Sequence, residues 1–123
     1  MINIKPVIYK ELQKVADNVT DTYPSDWEHF PVVIFLEEQN KPGDWFDDKE
    51  QKTSIRYKVD IFDNDSTSDL AIKINEIFAS LGLRRTDCQD VPDPSHLRHK
   101  LMRFEGIVDL DSQLVYQYRM ENY

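Results

Sequence analysis

The sequence predicts an α+β fold, a mixed, mostly antiparallel sheet of four to five strands with two amphipathic helices packed on one face. Three observations predict it. First, Ile55, Tyr57, Val59 and Ile61 alternate with Ser54, Arg56, Lys58 and Asp60, the period of a half-buried strand. Second, after the cap-rich run DNDSTSD, Leu70, Ile74, Ile77, Phe78 and Leu81 recur at helical spacing, and Gly82 stands where a left-handed residue would close the helix. Third, alternation returns near the C-terminus. Met102, Phe104, Gly106, Val108 and Leu110 share one face, and after Asp111-Ser112-Gln113 so do Leu114, Tyr116, Tyr118 and Met120, the pattern of an antiparallel hairpin.

Each further element follows in order. Ile8, Leu12, Val15, Ala16 and Val19 predict an N-terminal helix, with Asn3 as a cap and Pro6 near its start, fading at Thr20–Tyr23 before Pro24. Val32 to Leu36 is apolar and rich in β-branched residues, which predicts a short strand opened by Pro31 that is central in the sheet or covered on both faces. The stretch Asn40 to Gln51, with Pro42-Gly43 in it, reads as a polar loop carrying Trp45 and Phe46 at its tip. Leu83–Cys88 reads as a short strand, and QDVPDPSHLRHK as a second loop stiffened by Pro92 and Pro94. The order is α-β-β-α-(β)-β-β.

Totals narrow the function. At 123 residues with 40% hydrophobic, the chain suffices for one two-layer core, so residues 1–123 read as a single domain. No apolar run approaches the ~18 residues of a membrane helix, and MINIKPVIYKELQ carries charges through its apolar positions, unlike a signal peptide. The lone Cys88 permits no intrachain disulfide and suits a reducing cytoplasm. A net charge of −8, from 23 acids and 15 bases, argues against a protein that grips nucleic acid, since phosphate binding needs a basic footprint. It is compatible with a wall that DNA passes without sticking.

No motif selects an enzyme. His96 and His99 follow Cys88, but a closed zinc site needs four ligands and no second cysteine exists, so they read as loop histidines. Asp63, Asn64 and Asp65 open like a calcium loop, yet Ser68 replaces the required glycine and Ile74 the bidentate acid. Asp44 with Glu50-Gln51-Lys52 loosely matches a metal-nuclease pattern, in which two carboxylates hold a divalent ion and a lysine supports the attacking water. Three glycines are too few for a phosphate cradle of the usual kind. The expectation is no catalytic residue, no metal and no cofactor.

The arrangement of pieces nevertheless carries a likeness. A short helix leads to Tyr23-Pro24, then to an apolar strand opened by Pro31 and closed by EEQN (Glu37–Asn40). A strand ending YKVDIF (Tyr57–Phe62) feeds a helix ending LGLRR (Leu81–Arg85), and a final hairpin begins RFEG (Arg103–Gly106). This order resembles the tail-completion and head–tail joining proteins of long-tailed bacteriophages, the group that includes tail terminators. The resemblance implies a non-enzymatic subunit of a virion neck or tail, assembled in the host cytoplasm. It implies self-association into a hexameric ring, with the tail-tube and head-connector proteins as partners and DNA passing through the bore without specific binding. Under that reading the anchors Trp45 and Phe46, with Asp47 and Asp48 beside them, and Val91 and Leu97 on the second loop, are the candidate interface residues, because aromatics concentrate at interface hot spots. The competing readings are a small metal nuclease using Asp44, Glu50 and Lys52, and a monomeric protein-binding adaptor.

Overall fold

The computed structural model of the chain describes residues 3–24, 26–46 and 49–109, in backbone alone at 43–46, 49–51 and 109. Among these residues two helices, α1 (Lys5–Leu12) and α2 (Ser68–Ser80), accompany five strands, β1 (Asn18–Thr20), β2 (Val32–Phe46), β3 (Lys49–Asp63), β4 (Arg84–Val91) and β5 (Arg98–Asp109). The strands form one sheet in the order β1-β2-β3-β5-β4. Among the described strands β1 pairs with β2 in parallel, and the other pairs are antiparallel. Because β3 and β4 both run against β5, they are parallel to each other with β5 between them. The unit β3-α2-β4 is therefore a split crossover.

The core lies between one sheet face and both helices. Ile8 and Leu12 from α1 meet Ala71, Ile74 and Phe78 from α2 over Val33, Phe35, Ile55, Tyr57, Val59, Ile61, Met102 and Phe104. Phe78 stacks on Phe104 with ring centroids 4.1 Å apart and planes 4° apart. The α+β class, the β3 alternation and the α2 stripe are as the sequence predicts. Gly82, at φ 86, takes the left-handed conformation that ends α2, where a side chain would clash with the following carbonyl.

Elsewhere the sequence reading needs correction. The N-terminal helix stops at Leu12; hydrogen bonds from Val15 and Ala16 to the Leu12 carbonyl, each 3.1 Å, make a final turn, and Asn18–Thr20 is a strand. Val19 still reaches the core, so the apolar spacing is kept while the backbone changes. Pairing with β2 outweighs helical periodicity in a segment of β-branched and cap-type residues. The Asn18 amide also donates to the Asp26 and His29 carbonyls at 2.9 and 3.1 Å, tying down the connection that follows.

The expected loop Asn40–Gln51 is mostly strand. Asn40, Lys41 and Pro42 face Ile55, Ser54 and Thr53, and Asp44 faces Lys52. Three register shifts interrupt the ladder: those at Glu37/Gln39 and Pro42/Asp44 absorb Glu38 and Gly43 as extra residues on β2, and the one at Asp44/Trp45 absorbs Gln51 on β3, which is how bulges accommodate turn-type residues inside a ladder. β1 pairs only with Val32–Ile34, so Pro42 lies on a stretch of edge strand where its missing N–H is tolerated. The second expected loop shrinks as well, since Gln89–Val91 belong to β4 and Arg98–Lys100 to β5. The predicted strand after β5 and residues Asp47 and Asp48 lie outside the described residues.

Candidate functional site

The four described residues among the six predicted to form an interface fall in separate places. Trp45 and Phe46 close β2, opposite Glu50 and Lys49. Val91 ends β4 opposite His99, at the end of the sheet where Val32 meets Phe62 and Phe62 meets His99. Leu97 precedes β5 at that same end. The Trp45 and Leu97 regions therefore sit at opposite ends of the sheet, on two surfaces rather than one. Asp47 and Asp48 lie outside the described residues.

Between them lies the sheet face that carries no helix. Ile34, Leu36, Leu101 and Ile107 on this face are half-buried, so of the two expectations for the apolar run in β2 the central one holds, with β1 and β3 on either side of Val32–Ile34, and the one of cover on both faces does not. A chain of charges crosses it. Arg103 donates from Nε to Glu38 at 3.1 Å and from Nη1 to Asp87 at 3.3 Å. Arg56 lies 3.3 Å from Glu38 and 3.6 Å from Glu105. The Arg56 Nε, buried and close to Glu38, still makes no well-directed hydrogen bond. Its orientation, not its distance, leaves it unsatisfied. Hydrogen bonding to Glu38 raises the Arg103 pKa further, so its charge is permanent. Pairs this accessible add little to stability, about 0–1 kcal/mol each, so their main effect is to fix an alternating charge pattern on the face.

At the Val91 end a ladder of rings leads inward. Tyr23 and Trp27 meet edge to face at 5.7 Å, Trp27 and Phe62 at 5.2 Å, and Phe62 stacks on His99 at 4.1 Å. His99 Nε2 lies 2.7 Å from Asp60 Oδ1, and the Lys58 ammonium is 3.6 Å from Asp60 Oδ2. Asp60 is only 7% exposed, although the alternation put it among solvated residues. Burying a carboxylate is tolerable here because two donors answer it. This cluster was missed by sequence reasoning. The available signal was an acid inside an apolar strand and a histidine in phase with another.

Two cavities flank the ladder. One, of about 350 Å³, is bounded by Ser66 and Thr67 before α2 and by Val91, Arg98 and His99. The other is an open groove of about 470 Å³, lined by Tyr23, Trp27, Phe30, Phe62 and Leu97 together with Asp93 and Ser95. Among the described residues no three metal-ligating side chains gather. His96 and Cys88 are exposed, and of the three residues considered for zinc only His99 is engaged, with Asp60. The strand register does place Asp44 opposite Lys52, with Glu50 one pair further along. Comparison of the chain with protein-family models and with curated proteins returns no match.

Proposed function

We propose that this chain is a non-enzymatic structural subunit of a bacteriophage or prophage neck or tail, one copy in a ring that terminates the tail tube and joins it to the head connector. The observation that carries this reading is an unfinished sheet. Beyond Ile34, β2 has a strand neighbour on one side only, and β4 has none on its outer side, among the described residues. Two different open edges on one subunit favour head-to-tail association, in which one edge meets the other on the next copy, and a rotation that closes gives a ring. The half-buried apolar residues of the helix-free face add area for such contacts.

The order of elements, similar to that of tail-completion and head–tail joining proteins, supplies the setting and the expected six copies. A net charge of −8 suits a bore through which DNA slides, because like charge repels the polymer. No helix among the described residues is long and apolar enough to cross a membrane.

Size exclusion with light scattering, followed by negative-stain imaging, tests the reading. A closed ring with a central hole is expected, either alone or on adding the tail-tube protein from the same genome. A subunit that stays monomeric in both samples refutes it. The second reading, a metal nuclease, draws on the register that brings Asp44, Glu50 and Lys52 to one end of the β2–β3 hairpin. Magnesium-dependent DNA cleavage that disappears in Lys52→Ala would replace the ring reading with that one.

A further inference from the structure

The groove beside the ring ladder has the composition of a cation site. Its walls are aromatic, with Tyr23, Trp27, Phe30 and Phe62 contributing rings. The two edge-to-face pairs share Trp27, whose ring stands at 62° to Tyr23 and nearly perpendicular, at 85°, to Phe62, so the walls are steeply angled to one another. Tyr23 is 83% exposed and its ring is open to a ligand. Among the described residues no lysine or arginine lines the groove, and the charged group that lines it is the Asp93 carboxylate. Both Ser95 donors to Asp93, the backbone amide at 2.8 Å and the hydroxyl, fall on Oδ1, while Oδ2 takes no described partner. A second carboxylate, Asp26, lines a neighbouring cavity that shares Phe30, and it is held by the Glu28 amide at 2.8 Å and by the His29 imidazole. From Asp17 to Pro31 the chain carries Asp17, Asp21, Asp26 and Glu28 and no lysine or arginine.

We infer that this groove binds an arginine side chain presented by a partner protein, the guanidinium lying against the Trp27 and Tyr23 rings and reaching Asp93 Oδ2. Ring faces carry negative potential and attract cations, most strongly when a nearby carboxylate adds its own charge. Arginine suits the site better than lysine, because its planar, weakly hydrated head stacks on a ring while still donating to a carboxylate. A purely apolar ligand would make no use of Asp93 Oδ2, the carboxylate oxygen that the two Ser95 donors leave open. The inference does not depend on the ring reading, since it concerns one protomer and one side chain.

The test uses the full chain, labelled with ¹⁵N, and two peptides, acetyl-Gly-Arg-Gly-amide and its citrulline counterpart, which keeps the shape of arginine and removes the charge. Trp27→Phe identifies the Trp27 indole N–H resonance against that of Trp45. The arginine peptide is expected to shift the Trp27 indole signal saturably, with a dissociation constant of about 10 mM or tighter. Citrulline should bind at least about fivefold more weakly, and Asp93→Asn should weaken arginine binding at least about threefold while leaving the rest of the spectrum in place. Raising salt should weaken the arginine peptide alone. Equal binding of the two peptides, unchanged binding in Asp93→Asn, or no movement of the Trp27 signal would each overturn the inference, whatever the assembly state proves to be.

Discussion

Replacing Phe78 tests the packing that joins helix and sheet. Phe78 is fully buried, stacks on Phe104 at 4.1 Å and lies tilted against Tyr57 at 6.5 Å. Truncating such a ring to alanine costs about 3–5 kcal/mol through lost transfer energy and the cavity left behind. Because a stacked pair worth about 0.5–1.5 kcal/mol goes with it, Phe78→Ala should lie in the upper half of that range. With domain stabilities of about 5–15 kcal/mol, the loss is a large fraction of the total. In urea, at a slope of about 1.5–2 kcal/mol/M, the unfolding midpoint should fall by about 2–3 M. Phe78→Leu keeps more volume and should cost about 1–2 kcal/mol, so it remains measurable if the alanine variant is unfolded. A cycle with Phe104→Leu should return a coupling of about 0.5–1.5 kcal/mol. On the same helix Ile72 is 59% exposed, and Ile72→Ala should stay within about 0.5 kcal/mol of wild type. Equal losses at 72 and 78 would refute the helix orientation and the core built on it.

Further outcomes follow from other groups. Ile74→Asp should leave the chain unfolded by circular dichroism, since an uncompensated buried charge costs about 3–5 kcal/mol; a native-like variant would contradict the α2 assignment. Burial, and then the Glu37 carboxylate, push the Tyr57 phenol well up, so its hydroxyl stays a donor to Glu37 at 2.7 Å. Tyr57→Phe should therefore lower stability by about 1–2 kcal/mol in urea titrations. Under the proposed ring reading, Trp45→Ala should keep the monomer's thermal transition while weakening ring or tail association, measured by light scattering. Asp26, through the Glu28 amide and His29, and Asp93, through the Ser95 hydroxyl and amide, are held below the ordinary 3.8. Depressed folded pKa values give stability that is present above about 3.8 and lost as pH falls through the folded values. Carboxyl ¹³C titration checks this, and a midpoint at or above 3.8 for either residue would contradict the hydrogen bonds described.

Residues that bury on a local period were legible. Ile55 to Ile61 and Leu70 to Leu81 repeat at spacings that a strand and a helix impose on any chain, and Gly82 marks the left-handed position that closes α2. What escaped depends on distant partners. Asn18–Thr20 is too short to show a period and becomes a strand only because Val32–Ile34 offers an edge. Pro42-Gly43 has turn chemistry, and only the register against Thr53 and Lys52 shows that bulges carry the strand through it. The candidate site suffered most. Asp60 and His99 are 39 residues apart, and no local pattern ties an acid on one strand to a histidine on another. Trp27 and Phe62 were likewise visible as aromatics but not as neighbours.

The place of β5 has a consequence for the order in which the molecule can be built. It is the last described strand in the chain yet occupies the sheet between β3 and β4, pairing residues as distant as Lys52 and Asp109. Until it is synthesised, β3 has an open side and β4 has no strand to pair with. The nascent chain can close the β2–β3 hairpin early, but Phe104 and Met102 must arrive before Phe78 has its floor. Such late, long-range closure raises the entropic barrier and slows folding. Meanwhile the exposed strand edges are open to pairing with other chains. A subunit made in many copies would spend that interval beside identical nascent edges, so its yield should rise when synthesis is slowed by lowering the growth temperature.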